Sequence, residues 1–232
     1  MKEVYLVRHS APFVNIKADE NVKWSDFNRN MILDDEGEEN ALSLLLLGEL
    51  KKVDKVYSAD SARAIATIKY VAKNSEVEIE VDKELNEREI GVEYKKDIPD
   101  DLLKKQFEDE TYKMGNGESL KEAKNRITYE ITKILENTKD GQKIVLSMHC
   151  VAIMLYLSNF CRVGFNGGEF KVLFEDETVH EGYVGNPHVF ELVFDEDKVT
   201  SVKSIYNNSV YKAEDEEDKE DTEKLIEKID KD

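Results

Sequence analysis

The sequence predicts an α/β fold: a three-layer α/β/α sandwich with a mostly parallel sheet and an antiparallel hairpin at its edge. Four β-like runs are spread along the chain, and three of them lead closely into helical material. Near the end, two further runs flank an Asp-rich turn. Alternation of strand and helix implies parallel strands covered on both faces, and the closing hairpin belongs at an edge.

The first run is "EVYLVR", residues 3 to 8, four apolar strand formers that end on a cation. The helix expected over residues 35 to 52 starts at "DDEGE", where Asp35 and Glu38 have capping-box spacing. The second run, "VDKVYSA" at 53 to 59, feeds "DSARAIATIKYVAKN", whose apolar positions repeat at helical spacing. The third, "EVEIEVD" at 76 to 82, alternates strictly. A helix follows over residues 118 to 138, with an apolar stripe through Leu120, Ala123, Ile127, Ile131, Ile134 and Leu135. The fourth run, "GQKIVLSMH" at 141 to 149, feeds the apolar "CVAIMLYLSNFC", and "HVFELVFDEDKVTSVKSIY" supplies the hairpin. Residues 16 to 32 and 93 to 117 read as insertions or lids, and with residues 162 to 187 they form the expected rim.

Length and charge narrow the classes. At 232 residues one domain with extensions is the simplest count, here residues 1–212 with an acidic tail at 213–232. The tail holds eleven Asp or Glu against four Lys, a net of −7 that leaves −11 for the body, and it reads as a solvated or partly helical extension. A net charge of −18 argues against nucleic acid or an anionic membrane as partner. No apolar run spans a bilayer, and Met1-Lys2-Glu3 enters the first strand at once, so a cytoplasmic protein without a signal peptide is expected. Cys150 and Cys161, both in apolar surroundings, are then expected as reduced, packed thiols.

In open α/β sheets ligands bind outside the carboxyl ends of the strands. Strand one ends on Arg8-His9, strand two on Ser58 with Arg63 following, and strand four on His149, while the segment after strand three delivers Glu87. Arginine forks pair bidentately with phosphate oxygens. A neutral imidazole can attack phosphorus, and a protonated carboxyl can give a proton to a leaving oxygen. Each residue alone has a structural reading: Arg63 as a surface cation, His149 as a core histidine, Glu89 as no less plausible than Glu87. Their joint placement at strand ends favours a phosphoryl site. His180 and His188 lack such partners and read as loop residues or hydrogen-bonding elements. No His-Glu-x-x-His, Cys-x-x-Cys or helical histidine pair implies a metal. "GFNGGEF" at 164 to 170 lacks the Lys-Ser/Thr ending and following helix of a nucleotide loop.

These residues resemble the histidine phosphatase superfamily, the phosphoglycerate-mutase-like family with an Arg-His-Gly signature, over most of residues 3 to 206. "LVRHS" is similar to that signature, and Asn15 lies where the family's phosphate-contacting asparagine follows it. "LDDEGEENA", "YSADSARAIAT", "LNEREIG", "GNGESL" and "LSMH" resemble later family segments in the same order. The resemblance implies His9 as nucleophile, Arg8, Arg63, His149 and Asn15 around the phosphoryl oxygens, Glu87 as proton donor, and no metal or organic cofactor. Ser10 and Cys150 stand where the family prefers glycine; the small Ser10 hydroxyl can hydrogen-bond an anion, whereas Cys150 adds bulk beside His149.

Three functions follow. The preferred one is a metal-independent phosphomonoester hydrolase acting on a small phosphorylated metabolite. "LNER" is reminiscent of the mutases, but residues 90 to 117 carry lysines and no arginine to hold a phosphorylated acid. A non-catalytic member that binds a phosphorylated ligand or a partner is the third. The acidic, arginine-poor rim disfavours a polyphosphorylated substrate; a sugar phosphate, nucleoside monophosphate or phosphoamino acid suits it better.

Overall fold

The computed structural model describes residues 1–13 and 22–208; Asn15 and the acidic tail fall outside the described residues. Strand β1 (Lys2–Arg8) is the hinge of the architecture. Its run Val4-Tyr5-Leu6-Val7 is fully buried. Alternate side chains go to opposite layers: Val4 and Leu6 join one core, Tyr5 and Val7 the other. A strand packed on both faces reads as continuous rather than alternating hydrophobicity.

The main sheet has the order β3-β2-β4-β1-β8-β9. Strands β2 (Lys55–Ser58), β3 (Ile79–Val81) and β4 (Lys143–Met148) run parallel with β1, and β8 (His188–Asp195) and β9 (Lys198–Asn207) form the antiparallel edge hairpin. One face is covered by helices α2 (Asp35–Ser43) and α3 (Ala62–Ser75), which pack Leu42, Ile68, Val71 and Ala72 with Tyr5 and Val7. The other is covered by α5 (Leu120–Glu136) and α6 (Cys150–Leu157). In α5 the stripe Leu120, Ala123, Ile127, Ile131, Ile134 is buried, and Ser119 caps the helix with Glu122 in a capping box. Burying each such branched side chain contributes about 1.5–3 kcal/mol. Two short helices, α1 (Trp24–Asn30) and α4 (Leu102–Glu108), lie within the segments expected as insertions.

Several expectations are corrected. The helix over 35 to 52 ends at Ser43 and continues as two 3-10 turns, Leu44–Leu46 and Gly48–Leu50. Its cap is Asp34, whose carboxylate accepts the Gly37 N–H at 2.6 Å. Gly37 is required there because a Cβ would lie 2.1 Å from the Ala11 carbonyl oxygen. The third strand shrinks from 76–82 to Ile79–Val81, because Glu76 takes a left-handed conformation (φ 56°) to end α3. Residues 162 to 182 form a second, three-stranded antiparallel sheet: β5 (Arg162–Asn166), β6 (Glu169–Phe174) and β7 (Glu177–Gly182). It docks on α4 through Phe107, whose ring stacks on Phe165 at 4.9 Å. His180 and His188 therefore lie in strands, buried, rather than in loops. Both cysteines are free thiols.

Candidate phosphoryl site

Strand direction assembles the site. Because β1, β4 and β2 are parallel, their carboxyl ends share one edge, with Arg8 paired to Met148 and Ser58 to Ser147. One further bond, the His9 N–H to the Met148 carbonyl at 3.0 Å, extends the ladder and sets His9 beside His149. The two imidazoles stand edge to face with centroids 5.1 Å apart. Arg63 arrives from α3, where it belongs to the buried face with Ala64, Thr67 and Ile68 rather than to the solvent face.

The partners define the tautomers. His9 Nδ1 lies 2.8 Å from the Ser10 carbonyl oxygen, which can only accept, so Nδ1 carries the proton and Nε2 keeps its lone pair. His149 Nδ1 lies 3.1 Å from Arg63 Nη2, which can only donate, so the His149 proton is on Nε2. That N–H faces Ser61 Oγ at 3.4 Å. Burial holds both histidines well below the ordinary imidazole pKa, reinforced by Arg63 in each case and by Arg8. A lone pair on one ring and a donor on the other thus coexist near neutral pH.

Arg63 is gripped by α1: one guanidinium nitrogen donates to the Asn28 backbone carbonyl and the other to Asn28 Oδ1 at 2.8 Å. Burial lowers its pKa to about 10, opposed by the nearby Glu87 carboxylate and furthered by Arg8. Arg8 donates to the Val184 carbonyl and lies 5.5 Å from the Tyr183 ring centroid. Its Nε is buried without a hydrogen-bond partner, as is Ser10 Oγ. The Ser10 N–H is satisfied by Thr67 Oγ1 at 2.8 Å. Orphaned buried donors are rare in native proteins and mark a place that a ligand or water completes.

Glu87 sits where α6 begins. Its Oε2 accepts the Val151 N–H and its Oε1 the Arg88 N–H, both at 3.0 Å. The segment carrying it is clamped by Arg126 of α5, which donates to the carbonyls of Glu84 and Asn86 and bidentately to Glu118 at 2.7 Å. Arg88 Nε donates to Gln106 Oε1 at 2.7 Å, tying the same segment to α4. The Glu89 side chain is exposed, and only its backbone joins the clamp, through the N–H donated to Glu118 Oε2 at 3.0 Å. Cys150 opens α6 directly after His149, its thiol pushed up to about 11 chiefly by burial.

Arg8, His9, Arg63 and His149 are thus brought together, with Glu87 near enough to act on Arg63 and Cys150 electrostatically. Asn28, Ser61 and Asn186 support them and carry no sequence signal, since each works through groups distant in the chain, whereas Thr67 closes the segment "YSADSARAIAT" that carries the family resemblance. A cavity of about 520 Å³ opens between α1 and residues 89 to 93, with Trp24, Glu89, Glu93 and Asn116 among its walls and none of Arg8, His9, Arg63, Glu87 or His149 lining it. Among the described residues no three His, Cys, Asp or Glu side chains converge as a metal site, and no helix is long and apolar enough to cross a membrane.

The chain is thus a mostly parallel α/β protein with paired histidines and arginines at the carboxyl edge of its sheet. The family model for the histidine phosphatase superfamily (branch 1) matches residues 4–173, and the chain belongs to that superfamily. A search of curated proteins finds no match. Among solved structures, YhfR of Bacillus stearothermophilus shares 18% identity, covering 88% of this chain and 96% of its own, with a TM-score of 0.65. A mycobacterial glucosyl-3-phosphoglycerate phosphatase in complex with inorganic phosphate shares 15% identity over 90% of this chain and 97% of its own, with a TM-score of 0.62. These likenesses extend to the fold.

Proposed function

We propose that the chain is a phosphomonoester hydrolase acting through a phosphohistidine on a small phosphorylated metabolite, and that its catalysis needs no metal or organic cofactor. The observation that carries this is the buried, unpartnered Arg8 Nε beside a His9 ring whose Nε2 lone pair is free. A phosphoryl oxygen satisfies the first and a phosphorus atom the second.

In this reading His9 Nε2 attacks phosphorus. Arg8, Arg63 and the His149 Nε2–H hold the equatorial oxygens, with Ser10 and Asn15 assisting. Glu87 delivers a proton to the leaving alcohol oxygen as the P–O bond breaks. The Glu87 carboxylate then takes a proton from the water that cleaves the N–P bond, which restores both groups. Fixed donors aimed at the transferred group supply the charge neutralisation that phosphoryl transfer requires.

Hydrolysis is favoured over mutase-type return of the phosphoryl group because the lysines of residues 93 to 117 are engaged elsewhere. Lys104 and Lys105 pair with Glu108 and Asp101, and Lys113 with Glu122. Lys95 and Lys96 lie over the rings of Phe27 and Tyr94. The expected setting is cytoplasmic, away from nucleic acid and membrane.

The test is release of inorganic phosphate from p-nitrophenyl phosphate with EDTA present. The native chain is expected to turn over and His9→Ala to lose at least about 10³-fold. Equal turnover in both would remove the phosphohistidine mechanism.

A further inference from the structure

Resting on that reading of the site, we infer that Asn186 is the positioning residue for the His9 nucleophile, at the tip of a strap formed by residues 183 to 187. The strap joins β7 to β8 and crosses the open flank of the Arg8-His9 pair. The β1–β8 ladder ends at Arg8 opposite His188, so the His9 carbonyl lies one residue past the last strand partner. Asn186 supplies what the ladder cannot: its Nδ2–H donates to the His9 carbonyl oxygen at 2.7 Å. With the His9 N–H already bound to Met148, both backbone groups of the nucleophile are fixed, one by β4 and one by the strap.

The same amide nitrogen lies 3.5 Å from His9 Nδ1. Because Nδ1–H donates to the Ser10 carbonyl, this approach is a packing contact between two donor groups and not a hydrogen bond. Val184 serves Arg8, its carbonyl accepting from the guanidinium. One short segment therefore sets both residues of the Arg-His pair.

The strap is itself anchored, which separates a positioning device from an ordinary loop. Asn207 Oδ1 accepts the Gly185 N–H at 2.9 Å and its Nδ2 donates to the Tyr183 carbonyl at 3.1 Å. Asn208 Nδ2 donates to the Asn186 carbonyl at 3.0 Å, and its backbone N–H to the Pro187 carbonyl at 3.1 Å. The carboxyl end of β9, the outer strand of the hairpin, thus reaches across β8 to hold the nucleophile's backbone. Misplacing a reacting group by about 1 Å costs on the order of 10²-fold in rate.

The experiment compares the native chain with Asn186→Ala, Asn186→Asp and Asn208→Ala. It measures p-nitrophenyl phosphate kinetics, thermal unfolding midpoints and side-chain 15N spectra of His9. Asn186→Asp is nearly isosteric but replaces the donor by an acceptor facing a carbonyl. Asn208→Ala loosens the strap without touching His9. The expected result for both Asn186 variants is a kcat reduced on the order of 10²-fold with KM within about threefold. Their His9 ring resonances shift and broaden as the ring loses its contact with the strap, while Nδ1 keeps its proton through the Ser10 carbonyl. Asn208→Ala gives a smaller loss in the same direction and decides the matter if the Asn186 variants do not fold. An unchanged kcat and unchanged His9 ring resonances in the folded variants would overturn the inference. Failure of the hydrolase reading is seen separately: the native chain would then show no turnover, and the His9 ring resonances alone would report whether Asn186 positions the ring.

Discussion

The imidazoles of His9 and His149 stand 5.1 Å apart at an interplanar angle of 64°, one presenting a lone pair and the other an N–H. Two like rings take opposite chemical roles because one faces a carbonyl and the other a guanidinium. This division operates only while both rings stay neutral, and burial among arginines keeps them so.

That neutrality predicts a pH dependence of stability. All four histidines are held below their ordinary value, His188 at about 3. Unfolded histidines titrate near pH 6.5, so below about that pH the unfolded chain binds protons that the native chain refuses, and stability falls as pH falls. Each histidine kept neutral contributes a slope of about 1.4 kcal/mol per pH unit until its folded pKa is reached. Urea midpoints should drop steadily between about pH 7 and pH 5, and His188→Asn should flatten the slope. A midpoint independent of pH over that range would contradict the burial argument.

Asn28 predicts a binding defect. Its side chain accepts from Arg63 at 2.8 Å, and removing one hydrogen bond to a charged group costs about 1.5–3 kcal/mol. Asn28→Ala should weaken competitive inhibition by inorganic phosphate by roughly 10- to 100-fold while His9 stays reactive. An unchanged inhibition constant would show that Arg63 is held by the backbone carbonyl alone.

The Arg126–Glu118 pair predicts a stability defect with a catalytic consequence. Arg126 ties two carbonyls of the Glu87 segment and one carboxylate to α5. Arg126→Met removes one partner of a largely buried pair and should cost about 3 kcal/mol. Below the transition the folded variant should show a reduced kcat, because Glu87 loses its support. A variant as active and as stable as the native chain would show that the clamp is unnecessary.

Cys150 predicts an inert thiol. Held at about 11, it remains protonated at pH 8, and thiolate is the reactive form. Iodoacetamide at pH 8 should label it far more slowly than a free cysteine, and Cys150→Ser should keep turnover within a few-fold. Rapid labelling would mean that the pocket is open and wet around the thiol.

The sequence made the sheet edge legible because parallel strands must end together: Arg8, His9, Ser58 and His149 each follow a readable apolar run. Arg63 could be read only as a candidate, since its burial depends on α3 presenting that face to the sheet. The second sheet was legible in principle. "FNGGEF" places two glycines with positive φ between apolar residues at alternating positions, a hairpin signal, but weighing those glycines only as a phosphate loop misses it. Asn28, Ser61 and Asn186 could not be read, because each serves a carbonyl or ring brought near only by tertiary packing. The end of the helix at Ser43 was obscured by "LLLL", where burial favours helix and strand alike.

The measurement that tests the account most directly is rapid-quench mass mapping of the chain during turnover of p-nitrophenyl phosphate. Glu87→Gln should be included, because removing the base slows breakdown of the intermediate. The account predicts one acid-labile phosphoryl group on the peptide carrying His9, absent in His9→Ala. Steady hydrolysis with no phosphoryl group on His9 at any quench time would contradict it.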